Sequence, residues 1–142
     1  MTSKITVGIN GFGRIGRTLF RKLLLDPDIQ VVAVNDIANL KTLAHLLKYD
    51  SIHGVLKTPF EVTSKGIEIA GNSVNFSSES ELSNIPWPEL DIVVECTGKF
   101  KNRHQLEKHL AQGAKKVILS VPPEEDDIKT VVLGVNSDII DA

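Results

Sequence analysis

The sequence holds one cysteine in 142 residues. A lone thiol cannot close an internal disulfide, so stability does not rest on an oxidised framework, and a reducing cytoplasm fits. Aromatics are scarce at 5%, too few for platforms that stack nucleic-acid bases. Basic charge is not in excess: sixteen Lys and Arg face eighteen Asp and Glu, net −2. Nonspecific nucleic-acid affinity needs surplus cations on one face, so a general polyanion binder is excluded. The cluster Arg14, Arg17, Arg21 and Lys22 reads as a solvated helix face. No apolar run approaches the ~20 residues that span a bilayer. One lysine before an alternating run is not a signal-peptide layout. Neither a nucleic-acid nor a membrane partner is expected. What is present is ordinary for a globular domain: 42% apolar and 24% charged residues, in a chain long enough to bury roughly two-thirds of its surface.

The pattern along the chain alternates between two periods. Ile5, Val7 and Ile9 alternate with smaller or polar residues, which predicts a strand over Lys4–Asn10. From Arg14 the period turns helical, with Ile15, Leu19 and Leu23 on one face, until Asp26-Pro27 stops it. Gln30–Asn35 is a Val-rich run of the kind buried in parallel sheets. Asn39 is placed to cap a second helix with Leu40, Leu43, Ala44 and Leu47 inward. Phe60–Val62, Ile67–Ala70 and Val74–Phe76 read as a small antiparallel insertion, with turns at Ser64-Lys65-Gly66 and Gly71-Asn72. Asp91–Val94, Lys116–Ser120 and Val131–Val135 read as further strands. Asn102–Gln112 reads as a helix ended by Gly113, and Pro122–Asp127 as a rigid acidic loop. There are no repeats and no low-complexity linker. Alternating strands and helices predict an α/β domain over residues 1–142: a doubly wound, Rossmann-type sheet of six main parallel strands with a small antiparallel insertion.

Chemistry concentrates at the first strand-to-helix junction. Gly11-Phe12-Gly13-Arg14-Ile15-Gly16 follows a strand and opens a helix, the context a G-x-G-x-x-G pattern needs to mean dinucleotide binding. The first glycine permits the tight turn. The second lets main chain approach a pyrophosphate, and the third lets helix and strand pack closely. The free amides around Arg14 and Ile15 then face the negative charge. Asp36 lies twenty residues past Gly16, at the end of the second strand, where an acid holds adenosine ribose hydroxyls. A carboxylate there repels a 2′-phosphate, and Ile37, Ala38, Asn39 and Leu40 offer no cation, so NAD is expected over NADP. A helix cap is the competing role for Asp36.

Several blocks together resemble phosphorylating glyceraldehyde-3-phosphate dehydrogenase. They are Ile9–Arg17, Asn35-Asp36, Tyr49–Gly54, Glu95–Phe100, Gly113–Val117 and Gly134–Asn136, in the family's order from Lys4 to about Asn136. The resemblance implies a cytoplasmic, tetrameric enzyme of glycolysis that oxidises glyceraldehyde 3-phosphate with NAD and inorganic phosphate to an acyl phosphate. For this chain it implies cofactor contacts from Asn10, Gly11, Phe12, Gly13, Arg14, Ile15, Gly16, Asn35 and Asp36. It adds Ser80 where the family often has an arginine near the adenine, and Thr97, Gly98 and Ser120 towards the nicotinamide.

No catalytic residue is expected here. In the family the catalytic cysteine follows in a Ser-Cys-Thr-Thr-Asn segment and the histidine base lies in a second domain. Neither is expected within residues 1–142, which alone should bind NAD without turnover. Cys96 reads as a small apolar residue at a strand end, since neighbouring Glu95 raises a thiol pKa. Asp50, Ser51 and His53 are too close in sequence to converge as a triad. His45, His104 and His109 read as solvated, and no zinc spacing is present. Three other readings stand beside this one: an erythrose 4-phosphate dehydrogenase, a free-standing NAD-binding module, and a non-enzymatic interaction domain with an empty glycine turn.

Overall fold

The computed structural model describes residues 3–141. Strand β1 (Ile5–Asn10) is the middle one of the five parallel strands in a seven-stranded sheet. Its alternation sorts side chains to two faces. Val7 and Ile9 join a core with Phe12, Phe20, Leu43 and Leu47. Gly8 points the other way, towards Trp87 and Leu90, where even a methyl group would come within 2.9 Å of the indole. Helices α1 (Arg14–Leu23) and α2 (Leu40–Lys48) cover the first face. Trp87, Leu82, Ile85 and Leu90 fill the second, and α3 (Arg103–Ala111) reaches it through the contact of His109 with Trp87.

The remaining strands are β2 (Ile29–Asn35), β3 (Tyr49–Asp50), β4 (Gly54–Val55), β5 (Phe60–Val62), β6 (Gly66–Ile69), β7 (Asn72–Ser77), β8 (Leu90–Glu95) and β9 (Ala114–Leu119). The large sheet runs β5-β6-β7-β2-β1-β8-β9, and β3 and β4 form a separate antiparallel pair. Strands β7, β2, β1, β8 and β9 are mutually parallel. From β1 the chain builds outward through β2 to β7, then returns to add β8 and β9 on the other side. The order therefore reverses between β1 and β8, where open α/β sheets place their ligand crevice.

The structure departs from the sequence reading in its strands and in the first helix. Strand β7 is antiparallel to β6 but parallel to β2, so Val74–Phe76 belongs to the main array as well as to the insertion. Val131–Val135 is not a strand. Its backbone bonds are local: Asn136 Oδ1 accepts from Val132 N at 2.6 Å and Val132 O accepts from Val135 N at 2.9 Å. Among the described residues five strands, not six, are parallel. Helix α1 buries Gly16 and Phe20 rather than Ile15, which is exposed at the helix start.

Candidate functional site: a glycine corner at the sheet's carboxyl edge

The corner is built between β1 and α1. Gly11 has φ +93°, a left-handed conformation open mainly to glycine. Its amide donates to Asn35 O at 2.8 Å. A Cβ there would come within 2.7 Å of the Thr97 nitrogen, so the corner and the chain after β8 are in close contact. A Cβ at Gly16 would strike the Gly11 carbonyl oxygen. Phe12 anchors the turn: its ring is fully buried, edge-on to Phe20 and Phe76 at 5.4 and 5.3 Å. Arg17 Nη1 donates to Phe12 O at 2.9 Å. Gly13 is exposed, and a Cβ there would meet nothing within 4 Å. No side chain caps α1 and its first turn carries no acid. Its first amides and the positive end of its dipole therefore face outward.

Asp36 lies just past β2, with Oδ2 accepting from Phe12 N at 2.7 Å and Oδ1 from Ala38 N at 2.8 Å. The carboxylate thus helps hold the corner, and each oxygen keeps lone-pair capacity towards the crevice. It does not cap α2; Asn39 does, accepting from Lys41 N at 2.8 Å. Asn35 is buried and joins the loop after β7, its Oδ1 accepting from Ser77 Oγ and Glu79 N and its Nδ2 donating to Glu79 O. Ser80 follows, exposed at the same edge.

A seam of buried polar groups continues across the sheet. Asn35 Nδ2 also donates to Asn10 Oδ1 at 2.9 Å, and Asn10 Nδ2 donates to Glu95 Oε1 at 2.6 Å. Glu95 is wholly inaccessible, as is His109, whose Nε2 lies 2.9 Å from the same Oε1. The other oxygen, Oε2, accepts from Thr97 N at 3.0 Å and Thr97 Oγ1 at 2.6 Å. On the far side of His109, Trp87 Nε1 donates to Nδ1 at 3.0 Å. An indole N–H only donates, so Nδ1 is unprotonated, Nε2 carries the proton, and the ring is neutral. Four donors then converge on Glu95, which is an ionised acceptor. Losing one hydrogen bond to such a buried charge costs about 1.5–3 kcal/mol.

Thr97 and Gly98 lie just beyond β8, and Ser120 lies just beyond β9 rather than as its last residue, with Ser120 N donating to Glu95 O at 3.1 Å. The surroundings of Cys96 disfavour its thiolate. Burial pushes its thiol up to about 11; the Ser120 hydrogen bond opposes the rise and the Glu95 charge adds to it. Asp50, Ser51 and His53 form a turn, with Asp50 Oδ1 accepting from the amides of Ile52 and His53, and these bonds lower its pKa. A separate concavity of about 520 Å³ opens beside α2, lined by Lys41, His45, Tyr49 and Phe60, and shares no residue with the corner. No group of three or more His, Cys, Asp or Glu among the described residues could hold a metal, and no helix among them is long and apolar enough to cross a membrane.

The structure brings the segments singled out in the sequence to one edge, and the sequence reading missed what lies beneath them. His109 is buried, not solvated, because it sits three residues after Leu106 on the inward face of α3. Glu95 and Trp87 were overlooked as partners. A carboxylate closing the aliphatic run Ile92–Val94 was the available signal, since such a group must find donors.

Comparison with known proteins agrees with this geometry. The family model described as glyceraldehyde 3-phosphate dehydrogenase, NAD binding domain, matches residues 5–103. The glyceraldehyde-3-phosphate dehydrogenase of Geobacillus stearothermophilus is 51% identical over 139 residues, covering 96% of this chain and 41% of that protein. That of Heyndrickxia coagulans is 52% identical over 141 residues, covering 97% and 41%. That of Bacillus subtilis is 48% identical over 140 residues, covering 97% and 42%. The chain thus spans about two-fifths of the length of these relatives. The matched span runs from β1 to the start of α3 and so contains the glycine corner, Asp36 and Glu95: the chain belongs to the family of glyceraldehyde 3-phosphate dehydrogenase NAD-binding domains.

Proposed function

We propose that this domain holds NAD across the edge where β1 and β8 part. The observation that carries the reading is Gly13. Its φ of −74° suits any residue, and nothing in the protein fills the space a side chain would take. A pyrophosphate against the uncapped amides of α1 gives that space a use. Asn10, Gly11, Phe12, Gly13, Arg14, Ile15 and Gly16 form the phosphate corner. Asn35, Asp36 and Ser80 border the adenosine half; Thr97, Gly98 and Ser120 border the nicotinamide half.

The parent reaction in this reading is oxidation of glyceraldehyde 3-phosphate, with inorganic phosphate, to an acyl phosphate, in a cytoplasmic homotetramer of glycolysis. Bound NAD supplies a hydride acceptor. The residues of this chain bind and orient it and take no part in bond making. The half-buried Cys96, with its raised pKa, is not assigned the nucleophile's role.

Titration calorimetry with NAD and NADP tests the reading. NAD binds and NADP binds more weakly, because the Asp36 carboxylate repels a 2′-phosphate. Asp36→Ala weakens NAD and narrows the gap to NADP. It also leaves the buried Phe12 amide without its acceptor, at a stability cost of about 1–3 kcal/mol. Absence of NAD binding overturns the proposal, and an unchanged preference in the variant removes Asp36 from it.

A further inference from the structure

We propose that Glu95 is a positioning residue: it fixes the Thr97–Gly98 turn against the glycine corner and so shapes the half of the crevice that receives the second nucleotide. The inference rests on the dinucleotide reading above and adds a residue to it. Glu95 itself is inaccessible and touches no ligand. It acts through Thr97, whose amide and hydroxyl both end on Oε2. The Thr97 nitrogen lies where a Cβ on Gly11 would collide with it, so the turn after β8 abuts the turn after β1. That junction is the point where strand order reverses. Asp36 at the end of β2 marks the adenosine half, which leaves the other half over β8 and β9.

The chemistry of Glu95 is specific to this task. Packing alone would accept an aliphatic residue, since Val93 and Val94 precede it in β8 and an ion is costly to bury even when paired. A carboxylate can take two donors on each oxygen, and here it does. Oε1 takes Asn10 Nδ2 and His109 Nε2; Oε2 takes the two Thr97 groups. The neutral His109, oriented by Trp87, holds the carboxylate in place without cancelling its charge. On the adenosine side Asn35 is held by Ser77 and the Glu79 main chain without Glu95, so the Glu95 tie acts chiefly on the half over β8.

Glu95→Gln tests the proposal. A glutamine places an NH2 against two donors and leaves one pair unsatisfied, while changing little in size. Affinities are measured by calorimetry for NAD and for ADP, which carries the adenosine and pyrophosphate but no second nucleotide. The expected result is about a tenfold loss for NAD with less than about a twofold loss for ADP, the effect of losing a hydrogen bond to a charged group on one half of the ligand. Equal losses for both ligands reveal a purely structural residue and overturn the inference, as does no loss for either. If the variant does not fold by circular dichroism, Thr97→Val reports the same link from its other end. It keeps the branched shape and removes the hydroxyl, and the loss must again fall on NAD rather than ADP. An unaltered chain that binds neither ligand overturns the dinucleotide reading itself, a result separate from any behaviour of the variants.

Discussion

A side chain at Gly16 would collide with the Gly11 carbonyl, whereas one at Gly13 would meet only open space. The two glycines therefore answer to different demands, one to the fold and one to a ligand. Gly13→Val separates them. Valine is a poor helix N-cap, so stability falls by about 1 kcal/mol or less, but NAD affinity falls by about a hundredfold or more, some 2.7 kcal/mol. Urea unfolding and calorimetry on the same variant check both halves. The glycine spacing, Asp36 and the strand ends were legible in the sequence because each is a local pattern. The double duty of Asp36, which grips the Phe12 amide, was not, because the partner lies 24 positions away and is a backbone group without a side-chain signature. His109 was misread for a related reason. Its burial depends on Trp87, which reaches it from a loop on the opposite side of β8 in sequence.

At the scale of elements, local turn chemistry and cross-strand ties set what holds. The β6–β7 hairpin turns through Ala70 and Gly71, with φ of +51° and +76°. Two successive positive φ values are the demand of a type I′ turn, which favours Asn-Gly. Alanine in the left-handed region costs roughly 1 kcal/mol. Ala70→Asn is expected to recover part of that and raise the melting temperature by a few degrees; a drop in calorimetric melting temperature contradicts it. A second tie joins three strands of the sheet. Asp91 at the start of β8 accepts from Lys115 of β9 and from the amide and hydroxyl of Thr6 in β1. The Lys115 ammonium first, then the Thr6 donors, hold its carboxyl at about 2 rather than 3.8. A depressed acid adds stability above its unfolded value and loses it as pH falls through the folded one. Asp91→Asn is therefore less stable at neutral pH and loses less than the parent between about pH 4 and 2, as acid titration of circular dichroism will show. The dual pairing of β7 and the collapse of Val131–Val135 into turns show where periodicity stops being informative. A Val-rich run states a preference for extended backbone, but whether a ladder forms depends on whether Asn136 takes the amide first.

At the scale of the whole molecule, the ends of four of the five parallel strands meet one continuous polar seam, from Ser77 and Glu79 through Asn35, Asn10 and Glu95 to His109 and Trp87. Pairing of this kind crosses β7, β2, β1 and β8, so the crevice exists only when the sheet is assembled. A ligand that needs the assembled edge binds the folded chain and not the unfolded one, and stabilises it by mass action. At NAD a hundredfold above its dissociation constant the gain is about 2.7 kcal/mol, which for a domain of this size raises the melting temperature by about 5–10 °C. The rise should continue with the logarithm of NAD concentration, be smaller with NADP at the same concentration, and shrink to a small fraction in Gly13→Val. A scanning fluorimetry series that is flat with NAD, or that Gly13→Val reproduces in full, would place the stabilisation somewhere other than the glycine corner.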